Sequence, residues 1–491
     1  MIFSMTGFCQ GPSPAAVKHI SGEDIAADLQ ILQHAYEAMH PGLLRYNMAA
    51  QIAADFEQEK SLLASGATPA QFFARLALLS AKIQCGHTYP NFFNQSPEIV
   101  ASVLRGTSRL PFYFTWIDQK MIVTRDLTAN HSLPVGTEVL QVNGIGTAKI
   151  LVSLMPYVRA DGANDAKRVA LLGVSGESQW EAFDIYCPLV FPLADPSFKL
   201  TVRTPGKARS SLSVPAMSDH ERESIHKSAG APGPNDPVFA ESLLAKKIQV
   251  IRMPSWGLFN SKWDWKSWLD SSIDEAVAGH APELILDLRG NEGGDDEVGR
   301  FILGRLIAQP LTIENYARLV KYRTAPKDLE PYLDTWDKSF LRLGADAGPV
   351  KTMLPHLPPG GWFALGSESG HAGTESTLPR KTRYAGRVVV LIDAQNSSAT
   401  FQFADAIQQN HLGVLLGAPT GGNQRGINGG AFFFLRLPHS GIEMDLPLIG
   451  YFAQADRKNI GLTPDRVVPT TVRDIAASRD PQMEAAVALV P

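Results

Sequence analysis

Cysteine is scarce in this chain: Cys9, Cys85 and Cys187 are the only three among 491 residues. Three thiols cannot pair completely and their spacing fits no metal-ligand pattern, so neither a disulfide framework nor a metal site is expected. Long apolar runs are missing as well, none approaching the roughly 18 residues that a membrane-spanning helix needs. A basic excess is absent too. The 45 Lys and Arg stand against 49 Asp and Glu, a formal net charge of −4, which gives no surface field for nucleic acid or anionic lipid. No internal repeat, heptad or low-complexity tract is evident. What is present is apolar material, 44% of the residues, enough for real cores and, at about 150 residues per domain, for roughly three domains.

Two segments carry a strand, a tight polar turn and a helix in immediate succession. In the first, Leu284-Ile285-Leu286-Asp287-Leu288 runs into Arg289-Gly290-Asn291-Glu292-Gly293-Gly294, and Val298, Phe301, Ile302 and Leu306 then fall at helical spacing. Gly293 and Gly294 have no Cβ, so a reacting carbonyl can approach their backbone N–H groups closely. In the second, Val388-Val389-Val390-Leu391-Ile392-Asp393 leads to Asn396-Ser397-Ser398-Ala399-Thr400 and a helix with Phe403, Ala404 and Ile407. A serine at a helix start sees the positive end of the dipole and free N–H groups, which favour an alkoxide-like nucleophile. The simpler reading of Asn396, Ser397 or Thr400 is a helix cap.

Together the two elements resemble the tail-specific (C-terminal processing) serine protease family, in which an Asp-Leu-Arg-x-Asn-x-Gly-Gly turn lies beside a Ser-Ala-Ser-Ala-type nucleophile turn. The resemblance implies Ser398 as nucleophile with Ser397 as fallback, and an oxyanion hole formed by the Ala399 N–H and that of Gly293 or Gly294. It continues through Gly417-Ala418-Pro419-Thr420-Gly421-Gly422. The family's lysine branch carries its base just after that segment, where this chain has Asn423, and no lysine occurs between Ser398 and residue 457. Arg425 stays protonated and cannot substitute.

Gln84-Cys85-Gly86-His87-Thr88 follows an apolar helix with Phe72, Phe73, Leu76, Leu79 and Ile83. It resembles the Asp-Gly-His-Thr element of the family's tricorn-like branch, with Cys85 where Asp is common, and implies His87 as general base. An imidazole with an ordinary pKa of about 6.5 suits that task and predicts activity falling through roughly pH 6 to 7. The mechanism requires His87 and Ser398 to come within about 3 Å, a contact that is often longer without substrate. For the third member the resemblance points to an acid shortly before Gly461-Leu462-Thr463-Pro464-Asp465; Asp456 is the first candidate and Glu443 the second. Either can equally be a solvated loop carboxylate. Asp465 itself is read as a structural turn residue.

The expected fold class is α+β or α/β and multidomain. A helical N-terminal domain (1–95) carries His87, a β-rich and PDZ-like middle spans 96–217, a linker covers 218–243, and an α/β core of crotonase-like β-β-α units covers 244–491. The PDZ reading rests on Leu133 to Gly144, which resembles a Gly-Asp-x-Ile-x-x-Ile-Asn-Gly stretch; such domains bind a peptide C-terminus as an added strand. His40-Pro41-Gly42 and the ending around Asp474 and Asp480-Pro481 also resemble family members. Met1 to Phe8 is apolar without the basic start or length of a signal peptide; read as a signal remnant, it goes with export to the periplasm or outside. The function implied is a serine endopeptidase acting on peptide or unfolded-protein substrates without cofactor or metal. The rivals are a non-catalytic peptide- or lipid-binding protein on the same scaffold and a serine esterase.

Overall fold

The structure is a computed structural model describing residues 19–106, 108–193, 195–228, 233–313, 316–350, 353–366 and 376–490. The apolar N-terminal octapeptide and Cys9 lie outside the described residues. The two strands flagged in the sequence are neighbours. Glu283–Asp287 and Arg387–Ile392 pair in parallel, Leu286 opposite Val390 and Asp287 opposite Leu391. Nearly all their side chains are buried, which is why they read as unbroken apolar runs rather than alternating ones. Their sheet has six strands; Gln249–Arg252 and Ala240–Leu243 continue it on one side, Val414–Gly417 and Arg466–Val467 on the other. Only the pair at the Ala240–Leu243 edge is antiparallel. Parallel strands present their carboxyl ends on one side of the sheet, so two turns far apart in sequence emerge next to each other, each followed by its helix, Asp296–Leu306 and Ser398–Gln409.

A second six-stranded sheet contains Asn428–Arg436 and Glu443–Ala453, antiparallel, with Tyr316–Val320 next in order. A third holds Phe112–Ile117, Lys120–Asp126, Glu138–Val142, Ser197–Arg203 and Arg209–Pro215, with Ile145–Gly146 paired to the middle strand. That short hairpin turns on Asn143 (φ +51°) and Gly144 (φ +80°), the residue pair that best tolerates two left-handed positions. The N-terminal helices Gly22–Met39, Ala49–Leu62 and Pro69–Ala81 bury their apolar faces. One apolar core takes in these helices, the third sheet and, from the second sheet, Phe433, Leu435, Leu446 and Leu448. The strands carrying the turns have their own core around Trp256, Leu286, Val390 and Phe401.

The stretch read as a linker contains a helix, Asp219–Ser228, and the edge strand Ala240–Leu243. Its polar composition hid a capping box. Ser218 Oγ accepts from the Glu221 N–H at 3.1 Å and Glu221 Oε2 accepts from the Ser218 N–H at 2.7 Å. Arg222 then anchors the helix, buried against Asp184 at 3.3 Å and over the Tyr113 ring. The polar stretch from Asp346 to Thr377 likewise contains the short strands Ala347–Pro349, Phe363–Leu365 and Ser376–Thr377.

Candidate active site

The two turns are tied together by amides. Asn396 Nδ2 donates to the carbonyls of Leu288 at 2.6 Å and Asn291 at 3.0 Å, while its Oδ1 accepts from the Asp393 N–H. Thr400 Oγ1 donates to the Asn291 carbonyl at 2.9 Å, and Asn291 Nδ2 reaches back to the Met253 carbonyl. Asn291, Asn396 and Thr400 are all fully buried, so each bond is made away from competing water. Asn396 and Thr400 therefore fasten the serine turn to the glycine turn, a larger task than the helix cap their residue types suggest.

The adjacent serines differ sharply. Ser397 is buried, its Oγ donates to the Glu292 carbonyl at 3.1 Å and accepts from Lys167 Nζ at 3.2 Å. Ser398 is half-buried, and among the described residues its hydroxyl has no hydrogen-bond partner. Its backbone is left-handed, φ +51°, a conformation that costs a non-glycine residue of order 1–3 kcal/mol and is held by the clamped turn around it. Gly293 lies directly against it. A Cβ built on Gly293, whose φ is +106°, would stand 2.7 Å from Ser398 Cβ and 2.9 Å from the Ala399 nitrogen.

The N–H groups sort themselves in the same way. The Gly293 N–H is occupied, donating to Asn291 Oδ1 at 2.9 Å. The Gly293 carbonyl accepts from the Trp256 N–H; across a trans peptide the Gly294 N–H points the other way, and it has no partner among the described residues. The Ala399 N–H, in the first turn of its helix, is equally unpartnered. Of the two glycines proposed for an oxyanion hole, Gly294 is thus the one with a donor to give. Its own Cβ would collide with Trp256 backbone atoms at 2.1 Å, so no other residue fits there.

A charge cluster covers the turns. Lys167, buried and projecting from the helix Asp165–Leu171, donates to Glu292 Oε2 at 2.8 Å and the Gln395 carbonyl at 2.7 Å as well as to Ser397. Arg159 Nη2 reaches the same Glu292 oxygen at 3.0 Å, its Nη1 donates to the Gly86 carbonyl at 2.9 Å, and its guanidinium lies over the Tyr89 ring. Desolvation works against ionisation of Glu292, but Lys167 and Arg159 overcome it and hold the carboxyl down at about 2. Burial, opposed by Glu292, lowers the Lys167 pKa. Lys167, Arg159 and Glu292 were not singled out in the sequence. Glu292 stood in full view inside the glycine turn, whereas the two cations carry no local pattern and reach the site only through tertiary packing.

His87 borders this cluster. Its loop is braced on both sides. Asp161 Oδ1 accepts from the Gly86 N–H at 2.8 Å, and Thr88 Oγ1 bonds to His40 Nε2 at 2.7 Å. Because His40 Nδ1 accepts from the Gly42 N–H at 2.9 Å, Nε2 carries the proton and donates to Thr88. His40-Pro41-Gly42 is therefore a brace for the His87 loop. The His87 ring sits beside Phe432, and a Cβ on Gly429 would lie 3.6 Å from its Nε2. Nδ1 is buried without a partner. Burial first, then the positive charges of Arg159 and Lys167, push the His87 pKa down to about 3, with Glu292 opposing. The ring is therefore neutral and holds a lone pair at ordinary pH. It makes no hydrogen bond to Ser398 in this conformation. Cys85 is buried, its thiol pushed up to about 11 by burial and by Asp161, which leaves it protonated and unreactive.

Neither acid suggested from the sequence reaches His87. Asp456 is highly exposed and paired with His356 at 2.7 Å. Glu443 pairs with Arg436 at 3.0 Å. Asp465 fills the structural role expected of it, accepting from the Leu415 N–H at 2.8 Å and from Gln408. No group of three or more potential metal-binding side chains occurs among the described residues, and no described helix is long and apolar enough to cross a membrane.

Residues 247–468, which contain both turns and their helices, match the model of peptidase family S41. That segment is similar to the family. The similarity supports a serine-type peptidase of the tail-specific protease group. No curated protein sequence matches the chain significantly. Among solved structures, the chain superimposes on mature CPAF complexed with lactacystin with a TM-score of 0.63 at 16% identity, covering 95% of this chain and 97% of that one. A CPAF mutant gives 0.62, also at 16%, over 95% and 96%. At this identity the likeness is one of fold, and it extends over nearly the whole length of both proteins.

Proposed function

We propose that this protein hydrolyses internal peptide bonds through an acyl-enzyme, with Ser398 as nucleophile and His87 as general base. One observation carries the reading: of the two serines in the turn, Ser398 alone offers an accessible, unpartnered hydroxyl, on strained backbone beside the free N–H groups of Ala399 and Gly294. His87 Nε2 takes the serine proton as the hydroxyl attacks and returns it to the leaving amine; water then repeats the sequence on the acyl-enzyme. The oxyanion is held by Ala399 and Gly294. Glu292, the acid that raises the proton affinity of His87, takes the place of Asp456 and Glu443 in supporting the imidazolium. The His87 imidazole and the Ser398 hydroxyl meet on substrate binding, as catalytic contacts that are long in an empty site commonly do.

A serine and an oxyanion hole do not fix the leaving group. Side-by-side assays with an unfolded protein substrate and with short acyl esters separate peptidase from esterase. The account expects internal cleavage of the polypeptide, blocked by a fluorophosphonate. Ester turnover without any peptide cleavage would transfer the site to the esterase reading, and inhibitor-insensitive binding alone would mark a non-catalytic protein.

A further inference from the structure

A cavity of about 130 Å³ opens immediately beside Ala399, between the helices Asp296–Leu306 and Ser398–Gln409 and roofed by the strand Tyr316–Val320. A space of this size suits one amino-acid side chain or a chain terminus. Its wall is apolar along Leu303, Phe403 and Ala406, and it carries two buried polar atoms that bond to nothing, Arg318 Nε and Thr377 Oγ1. Thr377 is only 8% exposed. Arg318 makes no ion pair with any described residue, whereas the other cation of the wall, Arg300, is held by Asp296 at 3.0 Å. Both orphan atoms can donate a hydrogen bond, and a buried donor left unmet is destabilising. The first turn of the Ser398–Gln409 helix adds its positive end at Ala399.

We infer that this cavity binds a carboxylate of the substrate, with Arg318 and Thr377 as its donors and the apolar wall around the stem. The inference rests on the peptidase reading, since the cavity adjoins the residue proposed to hold the oxyanion. A bound carboxylate would accept from the guanidinium and the hydroxyl at once and compensate the positive charge, which a neutral amide would leave uncompensated. Two parts of a peptide can supply it: an acidic side chain next to the bond cleaved, or the free C-terminal carboxylate of a short substrate.

The test uses two pairs of peptides, one pair differing by Glu against Gln beside the cleaved bond, the other by a free acid against an amide at the C-terminus. Hydrogen bonds to a charged group correspond to about 10- to 100-fold in affinity, and the wild-type enzyme should show that preference in kcat/KM for the charged member of one pair. In Arg318→Met the preference should collapse to within about threefold, in Arg318→Lys it should return in part, and in Thr377→Val it should weaken, with thermal melts confirming folding. The pair that discriminates identifies the source of the carboxylate. Equal handling of both pairs by the wild type, or a preference that survives in Arg318→Met, overturns the inference. Affinities of the same four peptides for Ser398→Ala test the cavity even if no peptide is cleaved, so failure of the peptidase reading and failure of the carboxylate site give different results.

Discussion

Replacing Ser398 with alanine should lower peptide turnover by on the order of 10⁶, the loss seen when a serine nucleophile is removed from other serine proteases. The expectation follows from local geometry. Of the two serines in the turn, only Ser398 has an accessible hydroxyl without a partner among the described residues, and the left-handed conformation at Ser398 is one an alanine can occupy at similar strain, so the loss is chemical rather than structural. Ser397→Ala removes a hydroxyl that bridges Lys167 and the Glu292 carbonyl. It should lower stability by about 1 kcal/mol and leave most turnover in place. If Ser397→Ala were the silent enzyme and Ser398→Ala active, Lys167 and Ser397 would be the reacting pair.

His87→Ala should be nearly as damaging, by several orders of magnitude in kcat, while leaving the fold intact, because the imidazole makes no hydrogen bond that the structure would lose. The acid limb is the finer test. The sequence alone suggests an inflection between pH 6 and 7, but burial together with Arg159 and Lys167 pushes His87 down to about 3. The profile of kcat/KM, which reports the free enzyme, should therefore stay flat from pH 8 to about 5 and fall only further down. The same shift bears on stability. A histidine in the unfolded chain binds a proton near pH 6.5, while His87 in the folded protein does so only near 3. Its contribution is thus complete above about 6.5 and is lost as pH falls towards 3, at up to ~1.4 kcal/mol per pH unit. His40, also pushed down to about 3 by burial, acts in the same direction. Activity at low pH should accordingly be read in short assays with circular dichroism alongside. A limb at 6.5 that disappears in His87→Ala would mean that the ring meets solvent or a carboxylate in the working enzyme.

The parts of the site that lie on one stretch of chain were legible in the sequence. Buried parallel strands read as unbroken apolar runs, and the polar turns at their ends carry the glycines and serines, so both turns, Ser398, Ala399 and the glycine pair could be named by number. His87 was suggested by a local motif, although its brace, His40 to Thr88, belongs to two segments that only folding joins. What was not legible has one physical cause. Lys167 and Arg159 act across 125 and 133 positions of chain on Glu292, and no periodicity marks a buried cation. The choice of Asp456 fails for a related reason: its position in the chain was plausible, but a solvent-facing loop turns it towards His356. The helix Asp219–Ser228 was concealed by its polarity, and only the Ser218 to Glu221 capping box marked it.

The most direct measurement is the site of covalent attack. The folded protein should be treated with a fluorophosphonate and the adduct mapped by mass spectrometry. The account predicts a single adduct on Ser398, retained in Ser397→Ala, greatly slowed in His87→Ala and absent from Ser398→Ala. An adduct on Ser397 or Cys85, or full peptidase activity in a protein whose Ser398 never reacts, would contradict it.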